Sequence, residues 1–288
     1  MFSLRRFIYE QHWTLGFIEQ PLSDIVQGRS YEIHYLKGMP KDRWFADPFI
    51  LEYDSQVIKV LVEEFCYGIR RGRIARLTIK RNSYCLKDYK IILDLPTHLS
   101  FPFIIRKQGK VCICPENSES GAWHMYEYDS SSDELTRLRT IINEPLTDAI
   151  VSNAFGESLI FSTHLPTQNG NILSIYNEEG ALVKEVQLVC DVARNAGDWF
   201  KVGDKVYRPA QDCNGAYGRA VIIQEVIRDN DGISEFNEIR RLESTHPKYT
   251  TGCHTFNSYK DLIVVDVHGW RKPYVVYVAN LMRKLIKR

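Results

Sequence analysis

No window of the chain approaches about 18 consecutive apolar side chains, so the sequence offers no membrane-spanning helix. It also lacks an excess of either charge: 37 Lys and Arg stand against 36 Asp and Glu, a net of +1. A general nucleic-acid binder needs a marked basic surplus to displace counterions, and that class is set aside. The opening Met1-Phe2-Ser3-Leu4-Arg5-Arg6 has basic residues but no apolar stretch behind them, so no secretory signal is expected. Seven Cys are present without a metal-type CxxC pair. The closest two, Cys112 and Cys114, fall on one face of a strand, where disulfide geometry is unfavourable. An odd set of scattered thiols belongs in a reducing compartment, and the expected location is cytoplasmic.

What the sequence has is a repeat. A short turn motif leads into two or three apolar residues, a polar turn, and a second apolar strand that ends in polar or charged residues. The copies read DPFILEYDSQVIKVLVEEF from Asp47, FPFIIRKQGKVCICPEN from Phe101, DAIVSNAFGESLIFSTH from Asp148, DWFKVGDKVYRPAQDC from Asp198 and HTFNSYKDLIVVDVHGW from His254. Their starts lie about fifty residues apart, the size of one four-stranded propeller blade. Weaker strands fill the gaps: Ala75 to Lys80, Lys90 to Leu95, Met125 to Asp129, Leu173 to Asn177, Ala220 to Ile227 and, after the fifth copy, Tyr274 to Asn280. A two-sheet sandwich would not repeat in this fixed order. The expected fold is all-β, a five-bladed β-propeller over residues 1–280, with 281–288 as a short basic amphipathic tail. Tyr31 to Leu36 is the expected closure against the last blade. Trp13 and Phe17 are expected to pack on the propeller's side.

In a propeller the inner strand of each blade starts at one face of the axis and its hairpin partner returns there. The opening motifs and the polar strand ends therefore converge on one funnel. That gathers Asp47 with Glu63 and Glu64, His98 and Ser100 with Glu116, Asp148 with His164, then Arg194, Arg208, Gln211 and Asp212, and finally His254, Asp266 and His268. One such residue is more often a satisfied polar group than a functional one. Five strand pairs ending this way point to a site.

Here the residues carry a resemblance. WFADPFI, HLSFPF, PEN, TDAI, YRPAQDCNGAYG and TGCHTFN stand in order between Trp44 and Asn257. Together they resemble the N-terminal propeller domain of glucosamine inositolphosphorylceramide transferases and its stand-alone bacterial relatives in surface-polysaccharide loci. More distantly, the chain is similar to the five-bladed propellers of glycoside hydrolase families 43 and 130. The first resemblance implies a carbohydrate-active protein of capsular or lipopolysaccharide synthesis, although in plant relatives a different domain is thought to hold the transferase site. The second implies roles by motif. Asp47, in Asp47-Pro48-Phe49, matches the general base of family 43, and Asp148 matches its orienting carboxylate.

The family's acid-bearing EGP motif is absent. The corresponding stretch reads Arg194-Asn195-Ala196-Gly197-Asp198, and the acid is missing or replaced by Glu116, Asp198 or Asp212. Arginine favours a leaving phosphate, which needs charge neutralisation more than a proton. The leading expectation is thus glycosyl transfer from an activated donor, with Asp47, Asp148 and Glu116 catalytic. The substrate-binding set is Glu64, His98, Ser100, His164, Arg194, Arg208, Gln211, Asp212, Tyr217, His254 and His268. Arg208 is the preferred phosphate contact, while Arg70, Arg71 and Arg73 read as surface. The alternatives are an inverting hydrolase and a non-catalytic glycan-binding module. No metal ligand set is assigned, and a divalent cation on the axis is the one cofactor left open. The expected partner is a sugar, sugar phosphate or nucleotide sugar. Leu281 to Arg288, apolar on one helical face and basic on the other, adds peripheral contact with the inner membrane face.

Overall fold

The five quoted hairpins become the inner strand pairs of five four-stranded antiparallel sheets in the computed structural model, which describes residues 10–164, 170–229 and 232–286. The chain opens with β1 (Gln11–Ile18), a short helix α1 (Leu22–Val26) and β2 (His34–Tyr35). Blade one follows as β3 (Arg43–Tyr53), β4 (Val57–Cys66), β5 (Gly72–Lys80) and β6 (Cys85–Leu93). Blade two is β7 (Ser100–Lys107), β8 (Lys110–Glu116), β9 (Trp123–Asp129) and β10 (Glu134–Ile142). Blade three is β11 (Leu146–Ser152), β12 (Leu159–His164), β13 (Ile172–Tyr176) and β14 (Leu182–Gln187). Blade four is β15 (Phe200–Val202), β16 (Lys205–Asp212), β17 (Ala220–Asp229) and β18 (Gly232–Leu242). Blade five takes β19 (Phe256–Tyr259) and β20 (Leu262–Trp270) from the end of the chain and borrows β1 and β2 from its start, in the order β19-β20-β1-β2.

Inner strands are apolar on both faces because each is covered by neighbouring blades. The outermost β6, β10 and β14 alternate or face solvent. The fold is the expected five-bladed propeller. Its closure differs from expectation. β1 pairs with β20 along its whole length, from Gln11 opposite Trp270 to Ile18 opposite Ile263, whereas Tyr31 to Leu36 supplies only the two-residue outer strand β2. Trp13 is therefore an inner residue of blade five, not a side-packing one, and only 2% exposed.

A second correction concerns the end of the chain. Tyr274 to Asn280 is not a strand but part of a helix, α2 (Pro273–Ile286), which also runs across the boundary expected at residue 280. Proline at the first helical position is pre-organised for such a start. Phe7 to Tyr9, Lys287 and Arg288 lie outside the described residues.

Three inner strands share one local device. Asp47, Phe101 and Asp148 have φ of 49°, 42° and 48°, the left-handed region that side-chain-bearing residues seldom adopt. Each sits where the pairing register slips: between Ala46 and Phe49, between Ser100 and Phe103, and between Thr147 and Ile150. These β-bulges interrupt the ladder and re-aim the side chain, at about 1–3 kcal/mol each.

Candidate active site

The bulges leave backbone N–H groups pointing across blade boundaries, and buried carboxylates receive them. Asp266 Oδ2 accepts from Asp47 N at 3.0 Å, Asp47 Oδ2 from Phe101 N at 3.1 Å and Glu116 Oε2 from Asp148 N at 3.0 Å. The carboxylates stitch blade five to one, one to two and two to three. This is part of their purpose, and their other contacts divide them into two clusters.

The first cluster centres on His254. Its Nδ1 lies 2.8 Å from the Asp266 carboxylate and its Nε2 3.4 Å from Asp47 Oδ1, so one imidazole bridges two carboxyl groups. Asp266 Oδ1 also accepts the backbone N–H of His254 and of Thr255, each at 3.0 Å. Burial opposes charge on His254, but Asp266 and Asp47 outweigh it and push its pKa up to about 9. Burial raises Asp47 well above the usual carboxylate range, with His254 opposing and Glu63, Asp266 and Asp148 adding to it. Asp266 is lowered, because His254 and its hydrogen bonds outweigh its burial.

Trp13 stacks on His254 at 4.0 Å between ring centroids and lies 4.1 Å from His268. His268 accepts or donates at Nδ1 to Thr251 Oγ1 at 2.7 Å, and burial lowers its pKa to about 4. Gly218 fits against this pair only as glycine. Its φ is +59°, and a Cβ there would come within 2.9 Å of His254 Cβ.

The second cluster surrounds Asp148. Arg194 Nε and Nη2 both lie 2.7 Å from its Oδ2, and Gln211 Nε2 donates to the same atom at 2.8 Å. Burial and the neighbouring Asp148 raise Glu116 to about 8. Arg194 lies 5.0 Å from the ring centre of Tyr217, whose edge meets His254 at 5.4 Å. Tyr217 thus spans the two clusters from the loop between β16 and β17. Burial raises its hydroxyl well above its ordinary value.

Not every expected residue joins. Arg208, the preferred phosphate contact, is 0% exposed. Its guanidinium donates to Asn195 Oδ1 at 3.2 Å, Val192 O at 3.1 Å, Gln224 Oε1 at 3.0 Å and Ala193 O. It braces blade four and does not face the funnel. Asp212 is held by Arg241 and Asn214 within the same blade. Glu64 is clamped by Arg43 at 2.7 Å and Arg73 at 2.9 Å, while its neighbour Glu63 reaches His98 Nε2 at 3.1 Å. That contact lifts His98 to about 9 against the effect of burial. His98 Nδ1 accepts from Gly72 N at 3.0 Å, and Ser100 pairs with Glu116 across blade two. His164 contacts Tyr176 and Glu144 in blade three, outside both clusters.

Asp47, His254 and Asp266 bring ligand atoms within 4.8 Å of one another, the chemistry a divalent cation would use. Both imidazole nitrogens, however, already face carboxylates, Nδ1 at 2.8 Å from Asp266 and Nε2 at 3.4 Å from Asp47, so the ring bridges the two acids and leaves neither nitrogen open to an ion. These residues do not fit a resident cation.

Residues 35–264 match the family described as glucosamine inositolphosphorylceramide transferase 1, N-terminal. The chain belongs to this family. Curated relatives named glucosamine inositolphosphorylceramide transferase 1 include one from Oryza sativa subsp. japonica, 25% identical over 203 residues, covering 66% of this chain and 27% of the relative. Another, from Arabidopsis thaliana, is 26% identical over 201 residues, covering 66% of this chain and 26% of the relative. The chain thus spans about a quarter of the length of these transferases. Among solved structures, a glycoside hydrolase family 43 β-xylosidase/α-arabinofuranosidase from a compost metagenome, with xylotriose, superposes at a TM-score of 0.53 and 12% identity. It covers 78% of this chain and 86% of that one. An exo-β-1,3-galactanase from Phanerochaete chrysosporium with β-1,3-galactotriose gives 0.52 at 9%, covering 71% and 52%. At such identities the likeness is one of fold.

Proposed function

We propose that this propeller is a carbohydrate-active enzyme that transfers a glycosyl unit to a hydroxyl group in the funnel, with Asp47 as general base. The observation that carries the reading is the chain Asp266–His254–Asp47. A carboxylate of raised pKa is a better proton acceptor than an ordinary one, and the imidazole beside it stabilises its charged form without consuming it. Asp148, fixed by Arg194 and Gln211, orients the sugar from the opposite cluster. Membership of the transferase family and the sugar ligands of the two structural neighbours support a carbohydrate as substrate. With Arg208 sealed in blade four, a donor phosphate would fall to Arg194. The same proposal places the reaction in the cytoplasm, in the synthesis of a surface polysaccharide.

Hydrolysis is the second reading, and Glu116 favours it. A carboxyl pushed up to about 8 is still protonated at neutral pH and can protonate a leaving oxygen.

Titration with nucleotide sugars and with neutral oligosaccharides, followed by product analysis, tests both readings. Transfer predicts binding of an activated donor and an acceptor-dependent product. Release of free sugar from an oligosaccharide would establish hydrolysis instead. Binding of an oligosaccharide without turnover would leave a glycan-binding module and remove the base role of Asp47.

A further inference from the structure

The helix α2 leaves the funnel rim with its apolar face uncovered. β20 passes the site at Asp266 and His268 and ends at Trp270. Arg271 then fastens the chain to the rim. Its backbone N donates to Glu10 O at 2.8 Å, its Nη1 lies 2.7 Å from Glu10 Oε2, its Nη2 donates to Lys41 O at 3.3 Å, and its guanidinium lies 3.9 Å from the ring centre of Tyr67. Two residues later α2 begins.

Within α2 Val276 is buried against the body, whereas Tyr274, Tyr277, Val278, Leu281, Met282 and Leu285 are exposed, Tyr274 by 87% and Leu285 by 61%. Their spacing is that of a single helical stripe, which a globular protein ordinarily turns inward. Here the stripe faces away from the propeller. The surrounding sequence has one sign of charge: Val267 to Arg288 contains six Lys and Arg and no Asp or Glu. Among the described residues no helix is long and apolar enough to cross a membrane. An apolar stripe with aromatic residues, on a segment whose own charges are all basic, matches a helix lying in the plane of an anionic bilayer surface.

We propose that α2 seats the funnel rim on an anionic lipid surface, so that the mouth of the site opens at the membrane. The proposal rests on α2 alone and stands whether the funnel transfers, hydrolyses or only binds.

Flotation with two kinds of vesicle tests it: phosphatidylcholine alone, and phosphatidylcholine mixed with phosphatidylglycerol. The wild-type protein is expected to bind the anionic vesicles at least about tenfold better than the neutral ones, and less at high salt. Leu281→Glu combined with Leu285→Glu alters exposed positions that the fold does not need, and should cost at least about tenfold in binding. Arg283→Gln with Lys284→Gln and Lys287→Gln should abolish the preference for anionic vesicles. Hydrogen exchange on vesicles should protect the rim loop at Lys41 and Asp42 and leave the far-end turn at Gly203 and Asp204 unchanged. Equal binding to both vesicles, undiminished binding by the Glu variant, or protection at the far end would overturn the proposal. So would a lipid-free dimer that the Glu variant splits, since a second copy would then cover the stripe.

Discussion

The two clusters that meet beneath Tyr217 solve the same problem differently. Each must keep carboxyl groups in a space that water barely reaches, where an unmatched charge is costly. Around His254, two carboxylates share one titratable cation placed between them. Around Asp148, a permanent guanidinium and an amide hold one carboxylate, and the proton resides on the second, Glu116. The first cluster carries its titrating group at its centre, His254 pushed up to about 9. The second carries its own only at its edge. A site that moves protons needs the first kind, and a site that must hold a ligand in register needs the second.

Removing the fixed cation should show the largest effect. Arg194→Gln leaves Asp148 buried without its ion partner and is expected to cost about 3–5 kcal/mol, read from urea unfolding. A loss under about 1 kcal/mol would mean that solvent reaches Asp148 and that the clusters do not differ in this way.

Asp47→Asn comes next. The amide oxygen can still accept the Phe101 N–H, and Asn tolerates a φ of 49°, so the melting temperature should hold while turnover falls by about a hundredfold or more. Activity within about tenfold of wild type would leave the His254 cluster without a catalytic role.

The pH dependence separates the clusters directly. Glu116 is raised from 4.5 to about 8, so the folded state holds a proton that the unfolded state has lost, and its contribution declines as pH rises through that window. His254, raised from 6.5 to about 9, gives a decline between those values, with His98 adding to it. His12 and His268, lowered to about 4, act oppositely below 6.5. Stability should therefore fall from pH 6.5 upward, by about 1.4 kcal/mol per pH unit for each such proton. Glu116→Gln should remove the part that ends near 8, and His254→Gln its own share of the part that continues to 9, leaving the share of His98. Thermal melts across this range check both.

The smallest effect is expected from Trp13→Phe, which keeps an aromatic ring but shrinks the surface stacked on His254. About 1 kcal/mol of stability should be lost, with the alkaline part of the pH profile shifted and the Glu116 part unmoved.

The blades were legible because each inner hairpin writes its own pattern of turn, apolar strand and polar end, and five copies reinforce one another. β1 meets its neighbour in sequence, β2, over only two residues. Its full-length partner, β20, is about 250 residues away, and only pairing across that distance gives the alternation of Trp13, Leu15 and Phe17 its meaning. The helix α2 was hidden because Tyr274 to Asn280, rich in Val and Tyr, resembles a strand when cut off at seven residues. Read through to Leu285, the spacing of three and four emerges.

Among site residues, the miss at Arg208 has a plain cause. Side chains alternate along a strand, so Arg208 and Asp212 share one face of β16 and Gln211 takes the other. Gln211 reaches Asp148, and the other two turn back into blade four. The same alternation separates Glu63 from Glu64. Strand ends mark where a funnel lies, but parity decides which of two neighbours looks into it.

The borrowing of β1 by the last blade has a consequence for how the molecule comes into being. Trp13 cannot meet His254 or His268 until nearly the whole chain has been synthesised, and joining the two ends costs the closure entropy of a very long loop. Contacts so distant in sequence fold late and slowly. Blades one to four can assemble as ribosomal synthesis proceeds, each leaning on its predecessor, while the His254 cluster waits for the final seam. A nascent or truncated chain therefore holds Asp47 beside an unfinished wall, and the Asp266–His254–Asp47 chain is walled in by Trp13 only when the circle shuts.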